Sequence, residues 1–476
     1  MKQLIFLVTF ILCLLNAGQA ANKLEGTKWE GALLVQGFEL KLVFKFNQSA
    51  CLLDVPVQGV VDYPSSEFKS SGDSIRVAYT GILQAKFVGT KQADTLIVGH
   101  WLQSGKSFPL TLRRKIEHKR PQTPKLPLPY QQEEVSYFNH DKSIHIGGTL
   151  SLPETGSNHP VAILISGSGQ QDRDESIMGH QPFLVIADYL TRQGIAVLRV
   201  DDRGVGATTG KESLKKATSY DFALDVVAGI KYLQTRADIN PQEIGLIGHS
   251  EGGLIASIIG SKRNDLAFIV SLAGVGVSGK RLMSSQIKKA LVRTLPTKSV
   301  DSIVSFDKRA MNIIIHQGND RLAEVSISQA LIGPWLDGQD ASVKEYFGMK
   351  MVDGFKTLNT KPVLARYKKM MIPWFRYFIA YQPSEYLPKV KAPILVLNGE
   401  KDTQVLANLN TSGFKRIFNT CGKTNYKIKT YPDLNHFFQH CETGYIDEVE
   451  GIEETISEEV LKDISVWIKK QIGHEN

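Results

Sequence analysis

The stretch IGLIGHSEGG, Ile244 to Gly253, holds the chain's one G-x-S-x-G match and decides the fold. An apolar run, a serine between glycines and a second apolar run describe a buried strand, a sharp turn and a helix. At such a turn the serine is held in a strained backbone conformation, and small neighbours let the turn pass close to adjoining chain. Gly248 and Gly252 meet that need, Gly253 adds slack, and Leu254 to Ile259 continues as the helix. Ser250 is therefore the expected nucleophile. His249 beside it reads as packing or turn support, its ring directed away from where a base must arrive.

A serine hydroxyl attacks at neutral pH only when a base takes its proton and a third group orients that base. In strand-turn-helix sites of this kind the acid and then the histidine follow the serine along the chain. Pro393 to Asn398 is a buried strand running into GEKD, which ends at Asp402, and Tyr426 to Tyr431 is a last strand followed by PDLNH, which ends at His436. Ligands of open α/β sheets bind beyond the carboxyl ends of the strands. Asp402 is thus the expected orienting acid and His436 the general base, with Glu400 and Asp433 as alternatives for the acid. His440 would sit about a turn later. His436, His440 and Cys441 have no second ligand cluster at zinc-like spacing, so neither a metal nor a cofactor is expected.

Working outward, the apolar runs Val161–Ile165, Ile195–Val200, Ile244–Ile247, Phe268–Leu272 and Ile394–Leu397 alternate with helical stretches such as Ser219–Arg236. Strands too apolar to show a solvent face, separated by helices, imply a parallel sheet covered on both sides. The loop after the first run reads SGSGQQDRD, Ser166 to Asp174. Its glycines let backbone approach a substrate, so a developing oxyanion would meet the Glu251 amide and that of Ser168, with Gly169 close behind. Asp172, Arg173 and Asp174 read as a salt-bridge network that stiffens the loop.

Residues 277–389 interrupt the alternation with amphipathic helical runs and no strand pattern, and read as an inserted helical cap. They hold 18 Lys or Arg against 9 Asp or Glu. Trp335, Tyr346, Phe347, Tyr367, Trp374, Phe375, Tyr377 and Phe378 cluster in the second half. The expected reading is an aromatic cap core with lysines on solvated faces; the alternative is an acyl pocket with a positive rim suited to anionic esters.

The amino-terminal part differs in kind. Met1-Lys2-Gln3, an apolar run from Leu4 to Leu15 and small residues before Ala21 describe a secretory leader over residues 1–20, too short for a membrane span, which needs about 20 apolar residues. Residues 21–118 alternate short apolar and polar runs with turn signals, as a small antiparallel β-barrel or sandwich does. Residues 119–133, with four prolines, read as an extended linker to a catalytic region over 134–476. Cys51, Cys421 and Cys441 remain after the leader, and a Cys421–Cys441 bridge and free thiols are both open.

With 476 residues, 42% hydrophobic and 22% charged, the chain has material for two or three globular units and excludes a disordered one. The formal net charge of +8 is no footprint of a nucleic-acid binder. It is unevenly spread: residues 21–130 hold 15 basic and 9 acidic residues, the cap is strongly basic, and the remaining catalytic core holds 22 basic and 30 acidic residues.

The SGSGQQDRD loop, Asp201-Asp202-Arg203-Gly204-Val205-Gly206, GHSEGG, NGEKD and LNH together resemble the α/β-hydrolase superfamily over roughly residues 134–474. They are most similar to secreted or periplasmic bacterial serine esterases of the EstD type. The resemblance implies a mostly parallel α/β-hydrolase sheet with an inserted helical cap, preceded here by a small all-β domain. It also implies short-chain carboxylic esters as substrates and an acyl-serine intermediate released by water. One departure is Ser166, which stands where many relatives have the histidine of a His-Gly pair. The same triad would serve an acyltransferase or an amide or peptide hydrolase, and a noncatalytic envelope-binding protein is a further alternative. The expected partner is a small-molecule ester, with no nucleic acid and no membrane span after leader removal, in a secreted or periplasmic protein.

Overall fold

The structure, a computed structural model, describes residues 24–35, 38–58, 60–115, 118–331, 334–352, 355–358 and 361–473; the expected leader lies outside them. The chain divides after Glu117 into two compact units.

The first unit is one antiparallel sheet of nine strands: β1 (Thr27–Val35), β2 (Phe38–Phe46), β3 (Cys51–Val55), β4 (Val60–Pro64), β5 (Glu67–Ser71), β6 (Ser74–Tyr79), β7 (Ala85–Ala93), β8 (Leu96–Gln103) and β9 (Lys106–Lys115), in the order β4-β3-β2-β1-β9-β8-β7-β6-β5. Side chains alternate between a buried and an exposed face, as the period of a strand requires. Phe44 on β2 meets Phe87 on β7 with ring centroids 5.2 Å apart, although three strands lie between them in the sheet. The sheet is therefore rolled around a single core that includes Trp29, Tyr79 and Trp101.

The second unit is built on eight strands: β10 (Gln131–Phe138), β11 (His145–Leu152), β12 (His159–Ile165), β13 (Ala196–Val200), β14 (Ile239–His249), β15 (Ile269–Leu272), β18 (Ile394–Gly399) and β19 (Tyr426–Tyr431). Their order is β10-β11-β13-β12-β14-β15-β18-β19, antiparallel at β10 and β11 and parallel from β13 onward. Successive residues of each central strand serve opposite cores. Val161, Ile163, Leu246, Ile394 and Val396 enter one, and Ala162, Leu164, Ile247, Leu395 and Leu397 the other. Each large aliphatic side chain so buried contributes roughly 1.5–3 kcal/mol relative to exposure.

Helices cover both faces. Helix α1 (Pro182–Arg192) and the last helix, α13 (Glu458–Gln471), lie on the second core; α2 (Ser219–Gln234), α3 (Glu251–Gly260) and α12 (Ala407–Cys421) lie on the first. A capping box between Thr218 and Asp221 starts α2.

Between β15 and β18 stands the cap: α4 (Gly279–Leu291), α5 (Thr297–His316), α6 (Asp320–Leu331), α7 (Pro334–Asp337), α8 (Ala341–Tyr346), α9 (Lys361–Met370), α10 (Pro373–Ala380) and α11 (Pro383–Tyr386). It has its own core, with Phe306, Phe347 and Tyr367 inside. Sequence patterning predicts no strand here, yet Met349–Val352 (β16) pairs with Phe355–Leu358 (β17) in a short hairpin. Four-residue strands are too short to show alternation.

The proline-rich stretch has neither helix nor strand between His118 and Tyr130, but it is pinned to its own unit. Arg120 donates to the carbonyls of Met178, Glu450 and Ile452, and Gln122 bonds the backbone of Thr455 and Ile456. Cys51, Cys421 and Cys441 are free thiols. Among the described residues no helix is long and apolar enough to cross a membrane.

Candidate active site

Strand β14 delivers Ser250 into a turn with φ 54° and ψ −114°, a left-handed conformation that L residues rarely adopt. The glycines explain why the chain can turn there. A Cβ on Gly248 would lie 2.2 Å from the backbone of Gly252, and a Cβ on Gly252 would lie 2.0 Å from the carbonyl oxygen of Ile165. The Ser250 amide donates to the Leu272 carbonyl at 2.8 Å, fixing the turn to β15. Helix α3 begins at Glu251, whose amide is one of the unpaired donors of a helix start.

His436 follows β19 and Asp402 follows β18. His436 Nδ1 lies 2.8 Å from Asp402 Oδ2, with both side chains buried. Asp402 is held in turn: its Oδ1 accepts the amides of Gln404 and Val405 at 2.7 and 2.8 Å, and Asn398 Nδ2 reaches Oδ2 at 3.2 Å. The two alternative acids lie elsewhere. Glu400 accepts from the Thr430 hydroxyl and Asp433 pairs with Lys401. His440 is exposed and pairs with Glu454, and Cys441 Sγ donates to the Asp433 carbonyl. Among the described residues no His, Cys, Asp and Glu group could hold a metal ion.

Ser250 and His436 line one cavity of about 600 Å³ with Gly167, Ser168, Leu282, Met283, Trp374, Phe375 and Phe378. Gly167 backs onto the serine, its missing Cβ falling 3.3 Å from that of Ser250. Gly167 donates its amide to Glu175 at 2.7 Å, and Ser168, the next residue, lines the cavity. Gly169 lines a smaller cavity with Asp202 and Glu251.

The loop from Ser166 to Asp174 is braced as its charges suggest. Arg173 makes a two-pronged pair with Asp201 and reaches Glu134, while Asp174 pairs with buried Arg199. Asp202 accepts from the Ser166 hydroxyl and the Gln171 amide at 2.9 Å each, and burial pushes its carboxyl up to about 7.

Two buried carboxylates had no local signature. Glu175 Oε1 lies 2.9 Å from His249 Nδ1, and His249 Nε2 lies 3.1 Å from the His436 carbonyl oxygen. Both ring nitrogens face acceptors, so the ring satisfies both only as the imidazolium. Burial opposes that charge, but Glu175, the His436 carbonyl and Asp402 together outweigh it and the His249 pKa is raised. His249 is thus more than turn support: it ties the Glu175 loop to the backbone of His436. Glu251, the second, accepts from Ser168, Ser219 and Trp374.

The cap aromatics divide. Trp335, Phe347 and Tyr367 pack inside the cap, whereas Trp374, Phe375 and Phe378 wall the cavity. Lys289 and Arg293 also line it, Arg293 paired with Asp447 and set over the Tyr445 ring at 4.1 Å.

The strand order, the strand-turn-helix at Ser250 and the cap inserted between β15 and β18 define the α/β-hydrolase fold. Residues 181–341, a stretch that includes Ser250 and ends before Asp402 and His436, match the family described as Serine aminopeptidase, S33. Esterase EstD of Thermotoga maritima is 21% identical over 345 residues, which is 72% of this chain and 70% of that protein. The chain therefore has the α/β-hydrolase fold and is similar over most of its length to an esterase. Among solved structures, the α/β hydrolase GrgF of a Penicillium species aligns at 14% identity and a TM-score of 0.41, covering 72% of this chain and 99% of that one. Est1E of Butyrivibrio proteoclasticus, solved with ferulic acid bound, aligns at 17% identity and 0.40, covering 71% and 100%.

Proposed function

We propose that the chain is a serine esterase that cleaves short-chain carboxylic esters through an acyl-enzyme. The observation that carries this reading is the strained Ser250 turn opening on the same cavity as His436, whose other side is held by Asp402. With Nδ1 turned to Asp402, His436 Nε2 is left to take the Ser250 proton as Oγ attacks the ester carbonyl. The oxyanion meets the amides of Glu251 and Ser168. His436 then returns the proton to the leaving alkoxide, and water, activated by the same ring, releases the acid.

The family description raises a second reading, release of an amino-terminal residue from a peptide. An aminopeptidase must hold its substrate's ammonium, which calls for a free carboxylate. Glu175, which lines the cavity, and Glu251, next to Ser250 in the chain, have carboxylates that are both engaged, Glu175 by His249 and Glu251 by three neutral donors, while Lys289 and Arg293 supply positive charge. That favours the ester. Labelling with a fluorophosphonate, followed by a panel of acyl chain lengths and one aminoacyl amide, tests the reading: label on Ser250 and preference for short esters are expected. No label, or faster release from the amide, overturns it. Export rests on the leader pattern alone, and amino-terminal sequencing of the mature protein, expected to begin at Ala21, tests it.

A further inference from the structure

Glu251 follows the nucleophile, yet its carboxylate has no part in the acyl transfer. The residue is 2% exposed, and three side-chain donors converge on it. Ser219 Oγ at 2.6 Å and Trp374 Nε1 at 2.8 Å meet Oε1, and Ser168 Oγ at 2.7 Å meets Oε2. All three donors are neutral. Burying a carboxylate among neutral donors carries a desolvation cost that an amide would lessen, and burial raises this carboxyl above its ordinary value. A glutamine could keep Ser219 and Trp374 on its carbonyl oxygen, but its N–H₂ would then donate to Ser168 Oγ and turn that contact round, so only a carboxylate accepts all three at once.

The donors come from three separate elements. Ser168 lies in the loop after β12, Ser219 opens α2, and Trp374 belongs to cap helix α10, where it stacks on Phe378 at 5.6 Å and walls the cavity. Ser168 and Glu251 are also the residues whose amides would hold the oxyanion. We propose that Glu251 is a positioning residue whose carboxylate keeps the two oxyanion donors and the Trp374 wall in one register, so that the fit of an acyl group against the cap is expressed in turnover. This rests on the serine-esterase reading. Displacements near 1 Å in such donors cost up to about 10²-fold in rate, so a small shift of Trp374 is enough to register.

Glu251→Gln can keep all three contacts by reversing the one to Ser168, so it does not test the register. The decisive variants are Trp374→Phe, which keeps the ring and removes the N–H, and Ser168→Ala, which removes Oγ and keeps the amide. Each is expected to lower kcat about tenfold with KM within about twofold, and the double variant to be little slower than the slower single, because both act through one carboxylate. Melting temperatures within a few degrees of the parent show that the fold is retained. Losses that multiply, or a change confined to KM, overturn the inference. If Ser250 of the parent takes no fluorophosphonate, the esterase reading falls and this inference with it; if Ser250 is labelled and the losses multiply, this inference falls alone.

Discussion

The floor and the roof of the cavity are built by different means. On the floor, Ser250, His436 and Asp402 sit at strand ends, their positions set by backbone donors, by glycines whose absent side chains would strike main chain, and by a carboxylate–imidazole contact of 2.8 Å. The roof is apolar, with Leu282, Met283, Trp374, Phe375 and Phe378 carried on a cap that has its own core. At its edge, the Arg293–Asp447 pair is about half exposed on both sides, and such pairs contribute roughly 0–1 kcal/mol. Chemistry needs atoms held within tenths of an ångström and selection needs a shape, so the floor spends polar contacts on precision while the roof supplies area.

The contrast breaks if the floor tolerates change. Ser250→Ala should cut turnover by about 10⁴-fold or more with the fold intact; residual activity within tenfold of the parent would remove the serine from the mechanism. Asp402→Asn leaves the His436 contact in shape but not in charge, and a loss of about 10³- to 10⁴-fold in kcat is expected from ester kinetics. A smaller effect enters through His249. Its pKa is raised above the ordinary 6.5, so its pairing with Glu175 stabilises the fold fully below pH 6.5 and fades as pH climbs through the raised value. His249→Gln should therefore cost about 3 kcal/mol near pH 6, and the gap in melting temperature to the parent should narrow toward alkaline pH. A gap independent of pH would show that the ring is not charged. The roof's charge should matter least: Lys289→Ala is expected to lower kcat/KM about two- to threefold for a carboxylate-bearing ester at low salt and to leave a neutral ester unchanged, with the difference vanishing at about 0.5 M salt.

What was legible in the sequence follows from how local each determinant is. The elbow could be read because Gly248, Ser250 and Gly252 are neighbours in the chain and their spacing is itself the steric requirement. The parallel strands could be read because both faces are buried and their centres are wholly apolar, as in Val161–Ile165 of β12 and Ile394–Leu397 of β18. Asp402 and His436 could be placed because each stands just past the end of such a strand. The carboxylates of Glu175 and Glu251 could not be assigned, since partners lie 74 residues away at His249, 83 at Ser168 and 123 at Trp374. Strand β7 is faint in the sequence for a different reason: AKFVGTKQA alternates in burial over its first half, but with alanine and glycine at inward positions the hydrophobic signal is thin. The cap's aromatics were indistinguishable by type, and only the fold separates those that pack inward from those that wall the cavity.

The stretch from His118 to Tyr130 has a practical consequence for anyone dividing the gene. Arg120 alone reaches three carbonyls, two of them in the segment that leads into α13, so this stretch works as a strap on the catalytic unit. A shortened gene opening at Gln131, where the first regular strand begins, would discard that strap along with the Gln122 contacts. One opening at His118 keeps it. The useful cut therefore falls ahead of the prolines, even though proline-rich chain is where a protein engineer would ordinarily place the scissors.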